Sequence, residues 1–174
     1  GLFLVVVTPF IASEFWQTTV DKEWPRLLVF SLLLGFTPFI IWVLLQGNST
    51  GPSINIAGKL FDVGPFALLV SMSVYSALWI SKRDTKSTGR IFALGLSGLG
   101  LLLIMLPELL FIDDSFGSPS ERMNTVFKLY YQAWIVLATA SGFIVYYWYD
   151  LRSRLVGIKR LLLGLWTIMC IVLM

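Results

Sequence analysis

The sequence has no histidine, a single cysteine, and charge on only 13% of its 174 residues. Without histidine, this chain cannot supply histidine-ligated haem or pigment, a His-containing zinc site or a Ser-His-Asp triad. With one cysteine, Cys170, no internal disulfide can form. That residue lies in an apolar run and reads as a packing residue. Charge is about half the roughly 25% of a soluble domain. The basic residues sit in short loops rather than along one face, which leaves no footprint for nucleic acid. Any chemistry must therefore come from carboxylates, Lys, Arg, Tyr or a hard metal held by oxygen.

Apolar residues make up 57% of the chain and come in long blocks. The expected fold is an all-α, polytopic membrane protein, because in lipid each spanning segment must satisfy its own backbone. Continuous rather than alternating runs argue against a membrane barrel. Four spans look complete, at 25–46, 61–80, 90–112 and 126–149. Partial spans are expected at 1–13 and 159–174, so that 1–174 reads as one transmembrane helical domain. The chain opens on Gly1 and has no basic segment before its first apolar run. It is expected to be a fragment of a larger chain, or a processed one. Pro38 and Pro65 should kink or break their spans locally.

The loop "SKRDTKSTGR" carries Lys82, Arg83, Lys86 and Arg90, and "DLRSRLVGIKR" carries Arg152, Arg154, Lys159 and Arg160. The positive-inside rule places 81–90 and 150–160 in the cytoplasm and 113–125 outside, in a protein integral to the cell membrane. The 47–60 loop then also faces out and the 14–26 segment faces in. Small residues four apart, Ser73 and Ala77, Ala93 and Ser97, Ala138 and Gly142, mark expected close helix approaches.

One stretch gathers charge: "PELLFIDDSFGSPSERMNTVFKLYYQAW", Pro107 to Trp134, holds four of the ten carboxylates. Asp113, Asp114 and Glu121 read as a solvated turn, with Ser120 as a helix cap. Glu108 and Lys128 each fall inside a span end, where charges pair, snorkel or line a wet cavity. Both lie about 6 Å deep at 1.5 Å rise per residue, so an ion pair across the hairpin is expected. Asn124, Lys128 and Tyr131 fall on one helical stripe, with Gln132 and Trp134 further round. That set suits a polar cavity for a sugar or phosphate. An interfacial aromatic belt is an equally direct reading of Tyr130 and Trp134.

The same stretch resembles the YYY membrane proteins, a family of polytopic proteins from archaea and Chloroflexi-type bacteria that is similar to the C-type glycosyltransferases. The resemblance rests on Glu108, Asp114, Phe116, Gly117, the run Arg122-Met123-Asn124-Thr125-Val126-Phe127-Lys128, Gln132 and Trp134. It implies a transferase that takes sugar from a polyprenyl-phosphate-linked donor at an extracytoplasmic site. In that reading Asp114 or Glu108 is the catalytic base, and Asp114 can hold a divalent metal such as Mg or Mn. Arg122 and Lys128 bind the lipid-linked phosphate, and Asn124 and Tyr131 position the donor beside Gln132 and Trp134. The partners are then the bilayer and a lipid-linked sugar. The alternative is a non-enzymatic subunit whose hairpin docks other membrane subunits. A third reading is a transporter with Glu108 and Lys128 on an ion path.

Overall fold

The structure is a computed structural model that describes residues 2–18, 24–47, 55–83, 87–110, 123–154, 157, 161, 164–166 and 168. Among the described residues five long helices follow in chain order: α1 Leu2–Thr18, α2 Trp24–Gly47, α3 Ile56–Arg83, α4 Thr88–Leu109 and α5 Met123–Arg154. Among the described residues there is no strand. Among the described residues four segments are long and apolar enough to cross a membrane: Pro25–Leu45, Ile56–Arg83, Thr88–Leu109 and Val126–Leu151. The 28 residues of α3 extend about 42 Å at 1.5 Å rise per residue, more than the ~30 Å hydrocarbon core. The chain is thus an all-α, multi-pass membrane protein.

Helix α3 is the hub, packing against α1, α2 and α4, while α5 packs on α4 and α1. Helix α1 lies against α3 and α5, whereas α2 meets α3 and a little of α4. The α3–α4 seam is built as the small residues suggest. The Ser73 hydroxyl donates to the Leu94 carbonyl at 2.6 Å, and Ser73 sits opposite Gly98. Ser71 and Ser97 instead return their hydroxyls to Ala67 and Ala93 in their own helices, at 2.7 Å each. This in-helix bonding satisfies a buried polar group where no water reaches.

Three expectations need correction. The first partial span does not stop at 13, because α1 continues to Thr18 and buries Glu14 at 1% exposure. No Gly or Pro interrupts Ile11 to Thr18, so nothing stops the helix there. Of the kink or break expected at Pro38 and Pro65, the break does not occur, since α2 and α3 run through them. The Ala138–Gly142 pair is not a contact notch: a side chain at Gly142 would meet nothing within 4 Å. The close approach on α5 falls at Leu137, whose Cγ would lie 2.6 Å from a Cβ on Gly100. The span expected at 90–112 is helical to Leu109, and Leu110 is extended. The stretch 111–122 lies outside the described residues.

Candidate functional site

At one end of the bundle three helices each contribute a polar side chain to one group. The start of α3 is set by Asn55, whose side-chain Oδ1 accepts from the Gly58 N–H at 2.8 Å while its carbonyl accepts from the Lys59 N–H at 3.1 Å. This is N-capping by a residue type suited to it. It places Lys59 in the first turn of α3, opposite the last turn of α4. There Lys59 Nζ lies 3.6 Å from Glu108 Oε2. From α5 the Tyr130 hydroxyl donates to Glu108 Oε1 at 3.2 Å. Both oxygens of Glu108 thus have a partner, one cationic and one neutral. The Lys59 and Glu108 side chains remain 22% and 30% exposed. A pair that open contributes about 0–1 kcal/mol to stability, and both groups can still reach a ligand.

Beside this group lies a cleft of about 400 Å³, within the roughly 300–1,000 Å³ of small-molecule sites. Phe3 and Leu4 of α1 form one wall, Tyr130 and Trp134 of α5 the other, and Phe66 and Ile104 complete much of the lining. The Phe3 and Trp134 rings meet edge to face with centroids 5.7 Å apart. Tyr130 therefore joins two features: its ring lines the apolar cleft and its hydroxyl reaches Glu108. The arrangement offers a charged head group beside a greasy slot, as an amphipathic ligand requires.

The structure places the other candidates as follows. Trp134 lines the cleft, while Lys128, Tyr131 and Gln132 are exposed on α5. Asn124 opens α5, and its side chain lies outside the described residues, as do Asp114 and Arg122. The basic partner of Glu108 is Lys59, not Lys128. The equal depth expected of the two charges does not hold, because α4 ends at Leu109, one residue past Glu108, whereas Lys128 lies five residues inside α5, which begins at Met123. Rotation separates them further. The buried face of α5 runs through Ala133, Leu137, Ala140 and Ile144. Lys128 lies about 140° round from Ala133 at 3.6 residues per turn, and Tyr130 only about 60°. Among the described residues no group of three or more Asp, Glu or Cys could hold a metal ion.

Two elements of polar structure are invisible to a reading by spans. Lys59 looks like part of a loop in "GNSTGPSINIAGKL", although Asn55 followed by an apolar run is a helix-start signal. The second is at the opposite end of the bundle. The Glu14 carboxylate, buried in α1, accepts a hydrogen bond from the Arg90 guanidinium on α4. Arg90 also lies over the Tyr147 ring of α5, 5.8 Å from its centroid. Nearby, the Tyr75 hydroxyl donates to the Thr18 carbonyl at 3.4 Å, and the Phe15 and Tyr75 rings are 5.3 Å apart. Glu14 and Arg90 are 76 residues apart, so no local spacing announces the pair.

No curated protein and no solved structure matches the chain. A family described as "Uncharacterized membrane protein (DUF2298)" matches residues 1–137. That span is 137 of the 174 residues, and the chain accordingly belongs to this family of multi-pass membrane proteins.

Proposed function

We propose that this protein is a glycosyltransferase-like membrane enzyme that takes sugar from a polyprenyl-phosphate-linked donor at the Glu108 end of the bundle. The observation that carries the reading is the Lys59–Glu108–Tyr130 group set beside an apolar cleft. The resemblance of the Pro107–Trp134 stretch to YYY proteins points to the same chemistry. Sugar transfer needs a base to take the proton from the acceptor hydroxyl and cations to hold the phosphate that leaves. Glu108 is the base in reach of both Lys59 and the cleft. Lys59 pairs with that carboxylate and offers the phosphate a cation, and the resemblance adds Arg122 as a second. Asp114 is the second acid. A divalent ion would draw on Asp114, as the resemblance implies.

The side of the membrane follows from charge. Lys82, Arg83 and Arg90 lie at the Glu14 end, which the positive-inside rule assigns to the cytoplasm of a cell membrane. The Glu108 end is then extracytoplasmic. The test uses the full-length protein in vesicles with a radiolabelled polyprenyl-phosphate sugar and an acceptor extract. Glu108→Gln should abolish transfer while helicity and insertion stay intact. Transfer at the native rate by this variant would overturn the assignment. The alternative of a non-enzymatic subunit draws on α2, whose most apolar window is only 17% buried and so leaves a long face for lipid or for a neighbour. Stoichiometric copurification with other membrane subunits, together with no transfer by the native protein, would select it.

A further inference from the structure

Asp62 is a charge on the cleft side of α3 that the Glu108 group leaves unused. Asp62, Phe66, Leu69 and Ser73 fall at i, i+4, i+7 and i+11, within about 60° around the helix. Phe66 lines the cleft, Leu69 packs against the main core, and Ser73 bonds the Leu94 carbonyl of α4. The stripe therefore faces inward, and Asp62 is its outer end. Asp62 is nonetheless exposed, because one turn outward of Phe66 the stripe reaches the mouth of the cleft. Lys59 lies a further turn out and about 60° round, with Cβ atoms about 5–6 Å apart at that spacing. The face of α3 buried with Trp42 of α2, through Val63 and Ala67, lies on the other side of Lys59.

Their partners distinguish the two acids. Glu108 has Lys59 on one oxygen and the Tyr130 hydroxyl on the other. Among the described residues Asp62 makes neither a hydrogen bond nor an ion pair. An acid inside a span end is costly and is kept where it lines a wet cavity. Asp62 adds no bond to the fold, so what it brings to the site is its field. Among the described residues the charges on this side of the bundle are Lys59, Glu108 and Asp62, because Lys128 is turned away and exposed on α5. One is positive and two are negative. Lys59 can offset one phosphate charge. A second phosphate would face Asp62 and Glu108 with no further cation from these residues. Discrimination against a wrong ligand is often built from such a repulsive group.

We infer that Asp62 is a specificity-determining residue, which admits a lipid head group bearing one phosphodiester charge and turns away the corresponding diphosphate. That the phosphate arrives on an isoprenoid chain rests on the functional reading above. The place of Asp62 does not, for it follows from the stripe that α3 turns toward the cleft. The selection is electrostatic: Asp62 stands beside the phosphate that Lys59 receives, and its repulsion grows in proportion to the charge of the head group.

The test is equilibrium photocapture by the full-length protein in phosphatidylcholine vesicles, with two probes of the same isoprenoid chain and the same glucose. One joins them through a monophosphate and the other through a diphosphate, and each carries a diazirine in its chain. The native protein should half-saturate with the monophosphate at a concentration about tenfold or more below that for the diphosphate. Asp62→Asn should tighten the diphosphate several-fold and narrow that gap. Its gain should be about the square of the gain for the monophosphate, because the charge is doubled. Asp62→Glu should keep the native preference, and added salt should shrink it. Lys59→Met should weaken both probes. Equal half-saturation of the native protein by the two probes would overturn the inference. So would an Asp62→Asn protein with the native preference, or one that loses both probes alike. Capture of neither probe would remove the lipid reading and the inference with it. Selective capture that Asp62→Asn abolishes, without sugar transfer by the native protein, keeps the role of Asp62 and loses the transferase. Sugar transfer with no preference between the probes does the reverse.

Discussion

Cutting the Glu14–Arg90 pair should have unequal consequences depending on which partner is removed. Glu14 is 1% exposed, while the Arg90 side chain is 24% exposed and lies over the Tyr147 ring. Arg90→Met leaves a carboxylate sealed in the bundle with no cation, a change that costs about 3–5 kcal/mol for a buried pair. Glu14→Met leaves a guanidinium that already reaches the surface and can extend toward it, so the loss is about 1–2 kcal/mol, a charge-assisted hydrogen bond partly replaced by water. Replacing both with methionine removes the unpaired charge and refills much of the volume. The double variant should then be less damaged than the sum of the singles by about 2 kcal/mol, within the usual range for coupled neighbours. Reversible unfolding of the full-length protein in bicelles, followed by circular dichroism or steric trapping, gives the four free energies. Additive effects would refute the coupling. A Glu14→Met loss larger than that of Arg90→Met would refute the argument from burial.

Other changes probe packing, the site and the topology. Gly35→Ala would set a Cβ only 2.7 Å from the Ala67 carbonyl, with the Ser71 hydroxyl also in its way. It should part α2 from α3 at a cost of about 1–3 kcal/mol in the same unfolding assay. Ser71→Ala should recover only a fraction, because the backbone clash remains. By contrast Gly100→Ala meets only the Leu137 side chain, at Cγ and its methyls, and Leu137→Ala in the same protein should relieve that clash. Lys59→Met should change stability by less than about 1 kcal/mol, as the pair with Glu108 is partly exposed. Cysteines placed in 81–90 and 150–160 should be shielded from an impermeant thiol reagent outside intact cells, and those in 113–121 labelled. The reverse pattern would invert the assignment of sides.

Much of the helical framework was legible because long apolar runs have few alternatives in a membrane. The run at 25–46 became Trp24–Gly47 and that at 126–149 became Met123–Arg154. Helix ends were harder, for polar residues continue a helix beyond the lipid. Thus α3 begins at Ile56 and ends at Arg83, outside the apolar core at 61–80. The site was legible only in part. Glu108 stood out as a carboxylate inside a span, but its partners depend on which face of each helix meets its neighbour. Lys128 differs from Glu108 in both depth and rotation, while Tyr130, read as a belt residue, stays 38% exposed and still reaches Glu108 from the edge of the face that carries Ala133 and Leu137. Lys59 and Glu14 were missed because a charge next to an apolar run reads as the start of a loop. Their partners lie 49 and 76 residues away, and only the packing of α3 on α4 and of α1 near α4 brings them together.

The most direct test of the site is sugar transfer by the full-length protein with Lys59→Met. Lys59 is distant in sequence from the Pro107–Trp134 stretch and enters the site only through the folded contact with Glu108. If the Lys59–Glu108–Tyr130 group serves the transferred ligand, this variant should insert and fold normally, yet lose at least about tenfold in turnover per substrate concentration, or about 1.4 kcal/mol of transition-state stabilisation. A folded Lys59→Met protein that transfers sugar at the native rate would contradict the account.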